Sequence, residues 1–130
     1  MFIQALELKN FKKFADRRIE FPADITVVKG KNEAGKSTIR EALIAALFFD
    51  PTTANIPKYM KEFKSWHTED LYTLVLHFEA NGENYILEKD FEKQKVFLKN
   101  GEGDMLSHDF NEIADKLHEF GGYSNKDLFG

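Results

Sequence analysis

Gly30 and Gly35 stand five positions apart, and Gly35 is followed at once by Lys36, Ser37 and Thr38. With Lys31, Asn32, Glu33 and Ala34 between the glycines, this is the full pattern G-x-x-x-x-G-K-[ST]. Each residue type has a physical reason. The glycines allow the backbone angles that curl successive N–H groups round one anion. A helix leaving such a loop adds unpaired N–H groups and the positive end of its dipole. A lysine at position 36 reaches β- and γ-phosphates, a hydroxyl at Ser37 ligates Mg²⁺, and Thr38 is placed against the α-phosphate. The implied chemistry is the holding of a nucleoside triphosphate with magnesium. A plain glycine turn before a helix would require neither Lys36 nor Ser37.

The flanking elements must position that loop. "ITVVKG" reads as a buried strand, because its apolar and β-branched residues run together without alternation. The helix after the loop is expected over about residues 36–49, with Asp50-Pro51 ending it. Ile39, Leu43 and Leu47 share a stripe, and Ala42, Ala45 and Ala46 widen it towards full burial. So apolar a helix needs extensive cover, which predicts an exposed apolar patch or a sheet edge taken up by another chain or lobe.

Upstream, "FIQALELKNF" is a first strand with Phe2, Leu6 and Leu8 on one face, and "RRIEF" a short second strand stopped by Pro22. Residues 50–66 read as loop with one helical turn. A meander follows: "YTLVLHFEA", an Asn81-Gly82 turn, "NYILEKDF", then "KVFLKN" and "DMLSH" around "NGEG". "DFNEIADKLHEF" is a short amphipathic helix with Phe110, Ile113, Leu117 and Phe120 on one side, stopped by Gly121-Gly122. The fold class is α/β of the phosphate-loop kind: a mixed central sheet carrying the loop helix, with an antiparallel meander beside it, one domain over residues 1–130.

Composition narrows the function. A hydrophobic fraction of 42% and thirteen Phe supply a core for a 130-residue chain. The absence of cysteine excludes disulfides, thiolate zinc sites and cysteine nucleophiles. No apolar run approaches the roughly 20 residues of a membrane span and no signal peptide opens the chain, so a cytoplasmic protein without a membrane partner is expected. The net charge of −4 is unevenly spread. Residues 1–65 hold 12 Lys/Arg against 8 Asp/Glu, and residues 66–130 hold 6 against 14. The positive half carries the glycine loop, which suits an anion. His67, His77, His108 and His118 lack metal-ligand spacing. Lys58, Lys61 and Lys64 form a basic cluster of the kind that meets nucleic-acid phosphates.

The run "LELKNFKKFADRRIEFPADITVVKGKNEAGKSTIREALIAALF" resembles the amino-terminal lobe of ABC-type ATPase heads with a coiled-coil insertion, the SMC proteins and the SbcC/YhaN-like DNA-repair ATPases. "NEAGKST" is closest to the SbcC/YhaN branch, and "FKSWHTEDLYTLVLHFEANGENYILEKDF" resembles that lobe's antiparallel strands. The resemblance implies ATP and Mg²⁺ as ligands. It places Lys12 and Lys13 beside the nucleotide and Asn32 near the γ-phosphate. A solvated strand end is the competing, weaker account of the two lysines. It also brings Trp66 and His67 towards the adenine side, although ordinary packing is the better account of both.

The same resemblance makes absences informative. The signature "LSGG" helix, a Walker B strand ending in Asp-Glu, and heptads are missing; "LVLHFE" lacks the terminal Asp, and Gln94 is a solvated turn residue rather than a magnesium-site glutamine. The chain reads as an incomplete head. Its expected partners are a carboxy-terminal lobe or second head, and through the full complex an SbcD-type nuclease and DNA. Hydrolysis is expected of a complete head dimer, with little from this chain alone. Three other readings compete. In a GTPase, "DLFG" should precede N-K-x-D, yet here Asn125-Lys126-Asp127-Leu128 comes in the wrong order and with the aspartate one place early. A small kinase needs lid arginines, and only Arg17, Arg18 and Arg40 exist. A nucleotide-independent docking lobe would be indifferent to Lys36.

Overall fold

Two strands at the start of the chain turn back on each other over only two residues. β1 (Phe2–Phe11) and β2 (Phe14–Glu20) pair antiparallel, closing on Phe11↔Phe14 with Lys12 and Lys13 between. Lys12 has φ 51, the left-handed conformation that two-residue hairpin loops demand because its twist matches that of the strands. The second strand is therefore longer than its "RRIEF" core, starting at the aromatic residue that completes the hairpin.

The computed structural model describes residues 2–12, 14–21, 34–54, 56–64 and 68–120, with the side chains of 34–37 and 59 outside that description. After the hairpin come α1 (Ala34–Phe48), α2 (Lys58–Lys61), β3 (Thr73–Ala80), β4 (Glu83–Asp90), β5 (Lys95–Asn100), β6 (Met105–Ser107) and α3 (Phe110–Glu119). The strands form one sheet in the order β2-β1-β3-β4-β5-β6. Every described pairing is antiparallel. The expected "ITVVKG" strand, which would make the sheet mixed, lies outside the described residues, as does the Gly121-Gly122 stop.

Alternation assigns the two faces. Leu74, Leu76, Phe78 and Ala80 of β3 are buried, while Thr73, Val75, His77 and Glu79 between them are half-buried. Cross-strand register continues the inward set through Leu6 and Leu8 of β1, Leu87 of β4 and Val96 and Leu98 of β5. Helix α1 lies over this face against β1, β3 and β4, and α3 lies against β5. The other face carries Arg18, Glu7, His77, Glu88 and Lys99, a solvated side normal for an antiparallel sheet.

One face assignment needs correction. Phe2 does not join Leu6 and Leu8; it is 47% exposed, and Ile3 is buried instead. A register shift between Ile3 and Ala5 is the reason. One extra residue reverses the in-out phase of everything before it, and period-2 reading cannot see such a bulge.

Helix α1 buries Ala42, Leu43, Ala45, Ala46 and Leu47, and leaves Phe48 exposed at its end. Other exposed apolar side chains are Met105 and Leu106 on edge strand β6. Helix α3 is independently specified: Asp109 caps it, its carboxylate accepting from the N–H groups of Asn111 and Glu112, and Ile113 and Leu117 face inward.

The inward phase of β4 contains one charge. Lys89 follows Leu87 on the buried side and is 1% exposed. Its Nζ donates to the Phe49 carbonyl at 2.7 Å and the Ala45 carbonyl at 3.5 Å, and lies 5.3 Å from the Phe110 ring centre. Helix α1 has no basic residue in its own last turn. Lys89 thus supplies from a neighbouring strand the positive charge that a helix carboxyl end favours. Burial lowers its pKa to about 7, against an opposing pull from the Asp50 carboxylate.

The linkage has a definite sign. Below about pH 7 Lys89 is protonated both folded and unfolded, so the cost of burying its charge is present in full. Between about pH 7 and its ordinary value of 10.5 the unfolded chain binds the extra proton. Stability from this group therefore rises with pH in that window. Urea unfolding should show the parent chain gaining on the order of 2 kcal/mol relative to Lys89→Met between pH 6 and 8.5. A difference that stays constant across this range would refute the assignment.

Candidate phosphate-binding site

The glycine motif meets the described fold at the first residue of α1. Ala34 opens the helix, so Ala34, Gly35, Lys36 and Ser37 form its first turn, two residues earlier than the expected start. Gly30, Lys31, Asn32 and Glu33 lie outside the described residues, and for Ala34 to Ser37 the description is confined to the helical backbone. Thr38 is 7% exposed and engaged within the fold.

A helix cannot pair its first four N–H groups internally. In many helices an acidic side chain in the first turn answers them, but the first turn of α1 contains none and does contain Lys36. That donor set fits an anion, with backbone N–H groups, an ammonium and a hydroxyl residue at one helix end. It also fits triphosphate with Mg²⁺, because Ser37 is the hydroxyl type such a metal takes alongside phosphate oxygens. Among the described residues no group of His, Asp and Glu is arranged to hold a metal ion by itself.

Lys12, expected beside the nucleotide, is found against the flank of α1. Its Nζ lies 2.8 Å from Oε2 and 3.0 Å from Oε1 of Glu41, with both side chains about one-third exposed (34% and 30%). The same ammonium stands 5.2 Å from the centre of the Phe63 ring. The Lys12 N–H donates to the Phe63 carbonyl at 2.7 Å, and Phe11 bridges to Lys64. The hairpin tip is thus tied to α1 by a side chain and to the segment after α2 by backbone. Lys13, Trp66 and His67 fall outside the described residues.

An aromatic cluster sets this end of the sheet. Phe11 meets Tyr72 edge-on at 5.0 Å and Phe63 at 5.3 Å, and Phe63 stacks on Phe49 at 5.8 Å. Tyr72 donates its hydroxyl to the Met60 carbonyl at 2.7 Å. In the basic cluster, Lys64 donates to the Thr68 carbonyl at 2.9 Å, while Lys61 is exposed on α2. Gln94 occupies a turn with φ 55 and donates to the Thr53 carbonyl at 2.6 Å.

Two residues of consequence escaped the reading of motifs, Glu41 and Lys89. For Lys89 a signal existed: a charge on the inward phase between Leu87 and Phe91 demands a buried partner. For Glu41 none did, since its partner is 29 positions away across a hairpin and a helix.

Comparison with known proteins adds an independent line. The model of the AAA-domain family matches residues 5–125. A DNA double-strand break repair Rad50 ATPase of Archaeoglobus fulgidus is 32% identical over 90 residues, covering 68% of this chain and 10% of the relative. One of Thermoplasma volcanium is 25% identical over 134 residues, covering 99% of this chain and 14% of the relative. A chromosome partition protein Smc of Rhodopirellula baltica is 57% identical over 42 residues, covering 32% of this chain and 4% of the relative. The chain thus spans a seventh or less of the length of these relatives. No helix among the described residues is long and apolar enough to cross a membrane. Because the family match runs from within β1 to beyond α3, the likeness does not rest on the glycine loop alone: the chain belongs to the AAA-domain family, as a counterpart of the amino-terminal lobe of SbcC/SMC-like ATPases.

Proposed function

We propose that the chain binds Mg²⁺-ATP between Gly30 and Thr38 and serves as the Walker A half of an SbcC/SMC-like ATPase head, in DNA repair or chromosome maintenance. One observation carries the reading: α1 begins inside the G-x-x-x-x-G-K-S pattern, with a cationic first turn free of carboxylates. The relatives' names, Rad50 ATPase and Smc, supply the biological direction. In this reading the loop amides and the start of α1 hold the phosphates, Lys36 neutralises their outer charge, and Ser37 orients the magnesium. Bound magnesium supplies charge neutralisation at the transferring phosphoryl group. Lys12 and Lys13 contribute positive charge from the hairpin tip.

Sequence elements for hydrolysis are another matter. Carboxylates at a Walker B strand and a signature helix are absent from these 130 residues. They are assigned to a carboxy-terminal lobe and to a second head, with a nuclease of the SbcD type and DNA joining the complete assembly. The whole would be a cytoplasmic machine in which ATP drives head dimerisation.

Calorimetry with Mg²⁺-ATP tests the binding. The parent chain should give saturable heat, and Lys36→Ala should weaken it at least about tenfold, since charge-assisted hydrogen bonds contribute roughly 1.5–3 kcal/mol. No heat from folded parent protein, or equal heat from Lys36→Ala, would overturn the proposal and favour a nucleotide-independent docking lobe. In a phosphate-release assay, the chain alone should turn over well below about 1 s⁻¹, the low end of ordinary enzyme rates. Turnover at or above that rate would mean the hydrolytic groups are already present.

A further inference from the structure

We infer that Lys89 and α3 together form a pH-sensitive latch: α3 stays closed over the sheet while Lys89 is neutral, and opens at its amino end when Lys89 takes up a proton. The latch lies among the antiparallel strands and requires no nucleotide.

Lys89 is closed in with fewer partners than an ammonium can use. An ammonium carries three N–H donors. Among the described residues the side chain meets two carbonyls, that of Phe49 at 2.7 Å and that of Ala45 at the longer 3.5 Å. The Phe110 ring stands on another side, its centre 5.3 Å away. A ring face attracts a cation, but far less than the water that burial removes. A neutral amine, with two N–H groups, keeps both carbonyls. The cross-strand neighbours of Lys89 are Leu74 and Val96, both buried and apolar.

The charged groups nearby do not restore what is lost. The carboxyl end of α1 and the Asp50 carboxylate favour the cation, yet that carboxylate also accepts from the N–H and hydroxyl of Thr52. From α3, Asp109 turns to the N–H groups of Asn111 and Glu112, while Glu112 and His108 are exposed. On β4 itself, Glu88 faces Lys99 at 3.8 Å and Asp90 accepts from the Lys93 N–H. Burial outweighs Asp50 and moves the pKa of Lys89 from 10.5 to about 7.

Of the walls round Lys89, α3 is the one that gives way. Helix α1 buries Ala42, Leu43, Ala45, Ala46 and Leu47 and lies against β1, β3 and β4. Helix α3 buries Ile113 and Leu117 and lies against β5. Elements with few buried apolar contacts open first. The far end of α3 is pinned by Phe120, whose ring is 4.8 Å from that of Tyr85 and 6.1 Å from that of Phe78. Movement therefore falls at the amino end, where Phe110 covers Lys89, and it lets water reach the ammonium. The open form takes up its proton near pH 10.5 and the closed form only near 7. Opening thus becomes more frequent as pH falls through that window, and levels off below it.

Native-state hydrogen exchange at pH 6 and 8.5, corrected for the intrinsic pH dependence of amide exchange, tests the latch. A ten-residue helix is marginal by itself in water, so opening exposes its amides. Amides of Ile113 to Leu117 should be at least about tenfold less protected than those of β3 and β4 at both pH values, the mark of an opening short of global unfolding. From pH 6 to 8.5 their protection should rise about thirtyfold in the parent chain and less than about twofold in Lys89→Met. Equal protection of α3 and the central strands would mean that α3 has no opening of its own. Lower protection that stays flat with pH would mean an opening that leaves Lys89 buried. Either result overturns the latch, as does a thirtyfold rise that survives in Lys89→Met. The first two comparisons are made within the parent chain, so they decide the matter even if Lys89→Met does not fold.

Discussion

An ammonium with no access to water sits beneath the carboxyl end of α1, and the geometry of the molecule is arranged round it. Lys89 reaches the Phe49 carbonyl at 2.7 Å from the middle of a six-stranded sheet. Leaving a polar group of this kind buried without a partner costs several kcal/mol, so β4 and the end of α1 cannot drift apart independently. The inward face of α1 is otherwise apolar, with Ala42, Leu43, Ala45, Ala46 and Leu47 against the sheet. The hydrogen bond from β4 fixes its axial position. Since the helix runs 15 residues, about 22 Å, that fixed end also determines where its first turn, Ala34 to Ser37, lies.

The hairpin tip is located by a second, weaker set of contacts. Phe11, Phe63, Tyr72 and Phe49 pack ring against ring at one end of the sheet, and Lys12 emerges from among them towards Glu41. Aromatic packing is the rigid component here, because rings in offset and edge-on contact hold orientation as well as distance. The ion pair is the adjustable component. Backbone and rings hold the stem, and a partly exposed carboxylate holds the charge.

Much of this architecture was readable in the residues. The alternation of "TLVLHFEA" and "NYILEKDF", separated by Asn81-Gly82, specifies a hairpin from local chemistry, and both strands pair in that register. Asp109 before an amphipathic run marks α3, and Asp50-Pro51 marks the end of α1. What escaped was non-local. The bulge between Ile3 and Ala5 depends on how β1 fits β3, whose residues lie some seventy positions on. The Lys12–Glu41 pair exists because a two-residue turn and a crossing helix converge, and neither spacing nor propensity encodes that. At the candidate site, the glycine motif was legible as chemistry and α1 as its support, while residues 30–33 lie outside the described structure.

The two longer helices draw on opposite solutions to the same electrostatic problem. Helix α3 answers both of its ends from its own neighbourhood: Asp109 accepts from the first N–H groups, and Lys116 and His118 stand in the last turn. Helix α1 has neither an acidic first turn nor a basic last turn. Its carboxyl end borrows a cation from β4, a strand in the half of the chain where Asp and Glu outnumber Lys and Arg by 14 to 6. Its amino end has no borrowed carboxylate among the described ion pairs; the one acid that α1 itself contributes, Glu41, is engaged by Lys12 about one turn beyond the first. Each end of a helix carries roughly half an elementary charge, and a carboxylate in the first turn would compete directly with any incoming anion. Keeping acids out of that turn forgoes a few tenths of a kcal/mol of helix stability, and the buried apolar face of α1 offsets the loss. Such an arrangement makes physical sense where the negative charge that completes the helix arrives with a ligand.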